Sequence, residues 1–186
     1  MKLFLASKSP RRKSILESLG IDFEVVEISV EEKSSEIDPV LHCKEICEQK
    51  YIAATQAGVG GKILVADTIV VSNNEILGKP KSREDAIRML TSMSGSSHQV
   101  ITGVIIGEKG EDSKWLYEST EVVFFQYNQK TIERYLDHNT YQDKAGSYAI
   151  QSDHCFFVKE IKGSYTNVVG LPIEILRNEL SNLINE

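Results

Sequence analysis

The hydrophobic pattern of this chain changes period repeatedly, and each change marks a structural element. Residues 2–6 form a short apolar run that predicts a strand. Ser9 then offers a helix cap and Pro10 suits the first helical position. Ile15, Leu16 and Leu19 follow at helical spacing, and Gly20 closes that helix. Residues 22–28 predict a second strand, and the polar, acidic stretch 29–37 predicts a loop. Asp38-Pro39 opens a longer helix to about residue 57, with Val40, Cys43, Ile46, Cys47 and Ala54 available for one face.

Residues 63–66 read as an apolar strand that stops at Asp67, and the β pattern resumes over 69–71. Asn73-Asn74 predicts a hairpin turn. Ser82 and Asp85 have the spacing of a capping box, and the helix they open directs Ala86, Met89, Leu90 and Met93 inward. Residues 99–107 and 115–125 predict long strands around a polar turn at 108–113. A helix over 128–136, a strand over 154–161 and a closing amphipathic helix over 171–184 complete the pattern. Helices and strands alternate early and a strand pair occupies the middle, so the expected architecture is α/β with a mixed sheet. No linker-like break and no repeat divides residues 1–186, which are read as a single domain.

Charge narrows the function classes. A net charge of −6 argues against a nucleic-acid partner or an anionic membrane, while leaving room for a small basic pocket. No apolar run approaches the roughly 18 residues of a spanning helix, and the N-terminal apolar stretch is too short for a signal peptide. Three cysteines cannot form a fully paired disulfide framework. Together these features predict a cytoplasmic protein.

Four places carry candidate chemistry. Ser7-Lys8-Ser9-Pro10-Arg11-Arg12, at a strand-to-helix junction, combines hydroxyls, guanidiniums and helix-terminal N–H groups suited to an anion. Neighbouring arginines on a first helical turn cannot point the same way, so one would clamp phosphate while the other reads another part of a ligand. Solvated arginines on a capped helix are the alternative. Asp67, at the end of an apolar strand, could bind a divalent cation or activate water, although aspartate ends many strands. Lys79, after the hairpin, could neutralise phosphate charge or simply be solvated. Glu31-Glu32 suggest Mg²⁺ if a phosphate lies near, and otherwise a solubilising loop. Farther on, residues 143–151, 163–165 and 170–172 interleave polar side chains with glycine, and Gln151 could read a base edge with its paired donor and acceptor.

Other signals fail on their chemistry. Gly58-Val59-Gly60-Gly61-Lys62 precedes its strand and has Ile63 where a phosphate loop needs Ser or Thr. His42, Cys43 and Cys47 are too few for zinc, and Cys43 and Cys47 read as packing. His98 and His138 lack neighbours that define a triad, and Trp115 reads as packing.

The combination resembles the Maf family of nucleoside triphosphate pyrophosphatases, first named for an effect on septum formation. The matching stretches are LASKSPRR at 5–12, EE at 31–32, ADTIVV at 66–71, LGKP at 77–80, MSGSSHQVITGV at 93–104, DKAGSYAIQ at 143–151 and GSYTNVVGLP at 163–172. The resemblance implies an elongated mixed sheet flanked by helices, with two lobes and a central cleft, as in inosine triphosphate pyrophosphatases. It implies cleavage between the α- and β-phosphoryl groups, with Mg²⁺ or Mn²⁺. By the same resemblance Ser7, Arg12, Lys50 and Lys79 hold phosphates, and Glu32 and Asp67 serve metal and water, with Asp67 as general base. Arg11, Thr68 and Gln151 match positions of the dTTP/UTP branch, from which the 7-methyl-GTP branch departs. The implied partner is a nucleoside triphosphate, and a homodimer is left open. Two departures border the nucleobase region: residues 138–141 replace a Gly-Glu-Pro-like stretch, and Ser152 stands where glycine commonly follows Gln151. The rival readings are a 7-methyl-GTP or modified-nucleotide pyrophosphatase, a non-catalytic nucleotide-binding protein affecting septation, and a nucleic-acid binder using Arg11-Arg12.

Overall fold

The computed structural model describes residues 2–152 and 155–183. Its strands are β1 (Leu3–Leu5), β2 (Phe23–Val25), β3 (Lys62–Ser72), β4 (Glu75–Leu77), β5 (Ser97–Glu108), β6 (Lys114–Phe124) and β7 (Val158–Lys162). The helices are α1 (Pro10–Ser18), α2 (Pro39–Gln56), α3 (Arg83–Met93), α4 (Gln129–His138), α5 (Tyr165–Val169) and α6 (Ile173–Leu180). Among the described residues the strands form one seven-stranded sheet in the order β2-β1-β3-β5-β6-β7, with β4 paired to β3. Pairing of β1 with β2 and β3 is parallel, whereas β3–β4 and β6–β7 are antiparallel, so the sheet is mixed.

Local chemistry explains the helix starts. Asp38 caps α2 by accepting from the N–H groups of Val40 and Leu41, both at 2.9 Å. Ser82 accepts from Asp85 N–H at 3.2 Å, while the Asp85 carboxylate accepts from Lys81 N–H, one residue earlier than a regular capping box would place it. Asn128 caps α4 through Thr131 N–H. Ser9 occupies the cap position of α1 but its side chain makes no capping bond. Asn73 and Asn74 have φ of 51° and 62°, which makes the β3–β4 turn the predicted hairpin type.

Several predicted boundaries move. The second strand shrinks to β2, which is partly exposed and lies at the sheet edge. The strand predicted over 154–161 begins at Val158 among the described residues; His154 lies outside them. The closing helix is α6 followed by a 3₁₀ turn over Ser181–Leu183, and Ile184 lies outside the described residues. Asp67 does not end a strand, because β3 runs through it unbroken. It falls between the β3 residues paired with β1 (62–64) and those paired with β4 (70–72). Helix α5 and the 3₁₀ turn over Ala145–Ser147 are additions to the predicted pattern.

The chain forms two compact units, one from Met1–Asp67, Thr102–Glu118 and Gly170–Glu186, the other from Thr68–Ile101 and Ser119–Val169. Phe4, Ile63, Val65 and Ile105 centre the core of the first unit, with Cys47 and Ala54 of α2 packed against them. Gly103 leaves space there for Trp115: a Cβ at Gly103 would collide with the indole ring. The core of the second unit takes Ala86, Met89, Leu90 and Met93 from α3, the four residues predicted to point inward. Among the described residues no helix is long and apolar enough to cross a membrane.

His98 is buried in the second unit against Phe124 and Tyr148, and its Nε2 lies 2.7 Å from the Tyr148 hydroxyl. Burial lowers its pKa from 6.5 to about 4. The unfolded chain therefore takes up this proton first as pH falls, and stability should drop by about 3 kcal/mol from pH 6.5 through the folded pKa. Urea melts from pH 7.5 to 4.5 should show this loss, and His98→Gln should flatten it; equal pH slopes for the two proteins would contradict the account.

Candidate active site

The first unit carries six of the predicted residues: Ser7, Arg11, Arg12, Glu32, Lys50 and Asp67. Ser7 lies between β1 and α1, and its Oγ accepts from Ser9 N–H at 3.2 Å and from Arg12 Nη1 at 3.1 Å. Arg12 is on the buried face of α1, beside Ile15 and Leu16 in that helix's buried set. Its Nε donates to the Gly170 carbonyl at 2.7 Å. The two neighbouring arginines differ as expected, since Arg12 is buried and Arg11 half-buried. Burial lowers the Arg12 pKa, and the negative charge of Asp67 opposes that shift.

Lys50 lies on α2 in the buried stripe formed with Cys43, Cys47 and Ala54. Its ammonium donates to Asp67 Oδ1 at 2.7 Å and approaches Glu32 Oε1 at 3.0 Å, with Ala66 O at 3.4 Å. Burial disfavours the ammonium, but Asp67, Glu32 and the hydrogen bond to Asp67 outweigh it, so the Lys50 pKa is raised. Loop 29–37, α2 and β3 thus bring Glu32, Lys50 and Asp67 into one contact. The pair Glu31-Glu32 separates: both are exposed, but Glu32 reaches Lys50 whereas Glu31 pairs with Lys33.

Behind the cluster, Cys43 Sγ donates to the Asp67 carbonyl at 3.5 Å and Cys47 Sγ to the Gly103 carbonyl at 3.4 Å. Burial, and then a hydrogen bond with Cys43, raise the Cys47 pKa well above normal, which keeps that thiol protonated. The two cysteines pack, as their apolar spacing implies.

The second unit carries Thr68, Lys79 and Gln151. Thr68 is half-buried on β3, and Lys79 and Gln151 are exposed. Gly146 N–H donates to the Gly78 carbonyl at 3.1 Å, fixing the segment that bears Lys79 to the turn at 145–147. Gly146 has φ 66°, and a Cβ there would meet Val70 at 3.0 Å, so glycine suits both the backbone and the space. Gln151 occupies a turn closed by Ser152 N–H on the Ala149 carbonyl at 3.0 Å. Ser152, one of the departures from the family pattern, therefore closes the loop that presents Gln151.

Two features had little signal in the sequence. Lys50 could have been found from the residues alone as a lone cation on the apolar stripe of α2. The Gly170 carbonyl is 158 positions from Arg12, and no local pattern announces that contact.

A family model described as Maf-like protein matches residues 2–183. The dTTP/UTP pyrophosphatase of Thermosipho africanus is 45% identical over 173 residues, covering 93% of this chain and 88% of that protein. That of Bacillus cereus is 43% identical over 183 residues, covering 96% and 94%. The solved Staphylococcus aureus Ham1 protein superposes with TM-score 0.57 at 14% identity, covering 98% of this chain and 99% of its own. A HAM1 protein from Coxiella burnetii gives TM-score 0.51 at 13% identity over the same shares. At those identities the two structures bear on the fold alone, an α/β mixed sheet flanked by helices.

Proposed function

The chain belongs to the Maf family, and on that footing we propose that it hydrolyses dTTP and UTP to the nucleoside monophosphate and pyrophosphate. The observation that carries this reading is the Glu32–Lys50–Asp67 contact, with Arg12 within electrostatic reach of Asp67. Two cations and two carboxylates balance one another there, so a triphosphate needs further positive charge.

Residue roles follow from chemistry. Arg12, held at Nε by Gly170 and at Nη1 by Ser7, presents a preorganised guanidinium to phosphate oxygens. Ser7 orients that group. Asp67 takes the proton from the water that attacks the α-phosphorus in line, with pyrophosphate as leaving group. Lys50 and Lys79 offset charge on the phosphate oxygens.

Among the described residues no group of three or more His, Cys, Asp or Glu side chains converges as a metal cluster. Two carboxylates meeting at one cationic atom nevertheless fit Mg²⁺ or Mn²⁺. Mg²⁺ commonly takes one or two carboxylates and completes its shell with water and substrate phosphates. Glu32 and Asp67 would hold the cation, whose chemistry when bound is to offset phosphate charge and acidify water.

A pyrimidine of the dTTP/UTP type presents O4 and N3–H, which the Gln151 amide can satisfy with its N–H and carbonyl. Arg11 and Thr68 complete the specificity set. Both nucleotides share that edge, so a dual preference requires little contact at C5 and no strict reading of the 2′ position. A nucleotide panel scored by pyrophosphate release should place dTTP, UTP and 5-methyl-UTP ahead of purines. Gln151→Ala should narrow that advantage by roughly fivefold, about 1 kcal/mol. Preference for 7-methyl-GTP would overturn the pyrimidine assignment, and nucleotide binding without pyrophosphate release would favour the non-catalytic reading.

A further inference from the structure

We infer that Lys50 is an internal counter-cation holding the place between Glu32 and Asp67 that a divalent cation needs, so that the protein takes nucleotide and cation together. The inference rests on the assignment of this cluster as the catalytic site. The Lys50 ammonium is 2.7 Å from Asp67 Oδ1 and 3.0 Å from Glu32 Oε1. Side-chain exposure is 10% for Lys50 and 14% for Asp67, so water screens that contact poorly, whereas Glu32, at 37%, reaches the ammonium from the solvent side.

A Mg²⁺ ion ligated by these oxygens would lie about 2.0–2.1 Å from them, closer than the ammonium is now. Its two positive charges would repel an ammonium bonded to the same carboxylates. Lys50 must therefore turn away for the cation to enter. Among the described residues its ammonium also reaches the Ala66 carbonyl at 3.4 Å, a poor replacement for two carboxylates. Substrate phosphates supply a good replacement, and a flexible four-carbon stem with three donors can follow them.

Cation and nucleotide therefore reinforce one another at this site: each lowers the cost of moving Lys50 for the other. The favoured substrate is the cation–nucleotide complex, and the cation alone binds weakly. This assigns Lys50 a role before chemistry begins, in addition to holding phosphate, and its charge offsets the repulsion between the two carboxylates it contacts.

The test reads Mn²⁺ binding without turnover, from the electron paramagnetic resonance signal of free Mn²⁺ titrated against the full chain without nucleotide. Lys50→Met should bind Mn²⁺ about tenfold more tightly than wild type, because the competing charge is gone. Lys50→Arg, which keeps the charge, should stay within about threefold of wild type. Equal affinities for wild type and Lys50→Met, or an equal gain in Lys50→Arg, would overturn the inference.

A second measurement needs no variant. In ¹H–¹⁵N spectra of lysine ammonium groups in the wild-type protein, saturating Mg²⁺ alone should displace the Lys50 signal. A non-hydrolysable dTTP analogue should lower the Mg²⁺ concentration required. A signal unmoved at saturating Mg²⁺ would also overturn the inference. If the wild type releases no pyrophosphate from any nucleotide, the functional reading fails on its own, and these binding results still decide the role of Lys50.

Discussion

Asp67→Asn should lower kcat for dTTP and UTP by about 100-fold or more, equivalent to roughly 3 kcal/mol of transition-state stabilisation. The substitution preserves size and leaves an amide oxygen able to accept from the Lys50 ammonium 2.7 Å away. It removes the negative charge that, in the proposed mechanism, receives the proton and helps hold a cation. The backbone contact from Cys43 Sγ to the carbonyl of residue 67 is unaffected, so the fold should persist. Steady-state pyrophosphate release, with thermal melts as a control for folding, measures the effect. A kcat within about threefold of wild type, near 0.7 kcal/mol, would remove Asp67 from the role of catalytic carboxylate.

Arg12→Ala should be comparably damaging and should also destabilise the protein. Arg12 is buried, and its loss leaves the Gly170 carbonyl and the Ser7 hydroxyl without their guanidinium donor. Two lost hydrogen bonds amount to about 2 kcal/mol, or roughly 4–8 °C in Tm for a chain of this size. In the proposed mechanism the phosphates lose a preorganised fork as well, so kcat/KM should fall about 100-fold or more. Arg12→Lys restores charge but has neither the Nε–H that Gly170 holds nor the planar fork, so it should recover only about tenfold of that loss. Separate measurement of Tm and kcat/KM divides the structural cost from the catalytic one. A kcat/KM near wild type in Arg12→Ala would exclude phosphate binding by this residue.

The elements that proved legible in the residues are those whose causes are local. Asp38, Ser82 and Asn128 begin helices because each accepts from N–H groups two or three positions ahead. Asn73-Asn74 turns the chain because asparagine tolerates positive φ. The four inward residues of α3 follow from a period of 3.6 and a single buried face. Motif resemblance singled out Ser7, Arg12, Glu32, Lys50 and Asp67, and the fold joins Arg12 to Ser7 and Lys50 to Glu32 and Asp67.

Tertiary structure decided the extent of the strands and the pairing of the charges. A charged side chain in an apolar run looks like a strand end, yet β3 continues through Asp67. Its β-sheet neighbours are distant in sequence, and Lys50 compensates the carboxylate. The predicted second strand shortens to three residues because only those pair with β1 at the sheet edge. Glu31 and Glu32 are adjacent in sequence, but only the folded loop sends one to Lys50 and the other to Lys33. Gly170 acquires its contact with Arg12 only when the end of the chain returns to α1. Caps, turns and helical faces depend on neighbours within about four positions, which the sequence contains directly. Strand pairing and buried charge contacts depend on which distant segments pack together, and that choice is made by the cooperative energy of the whole fold.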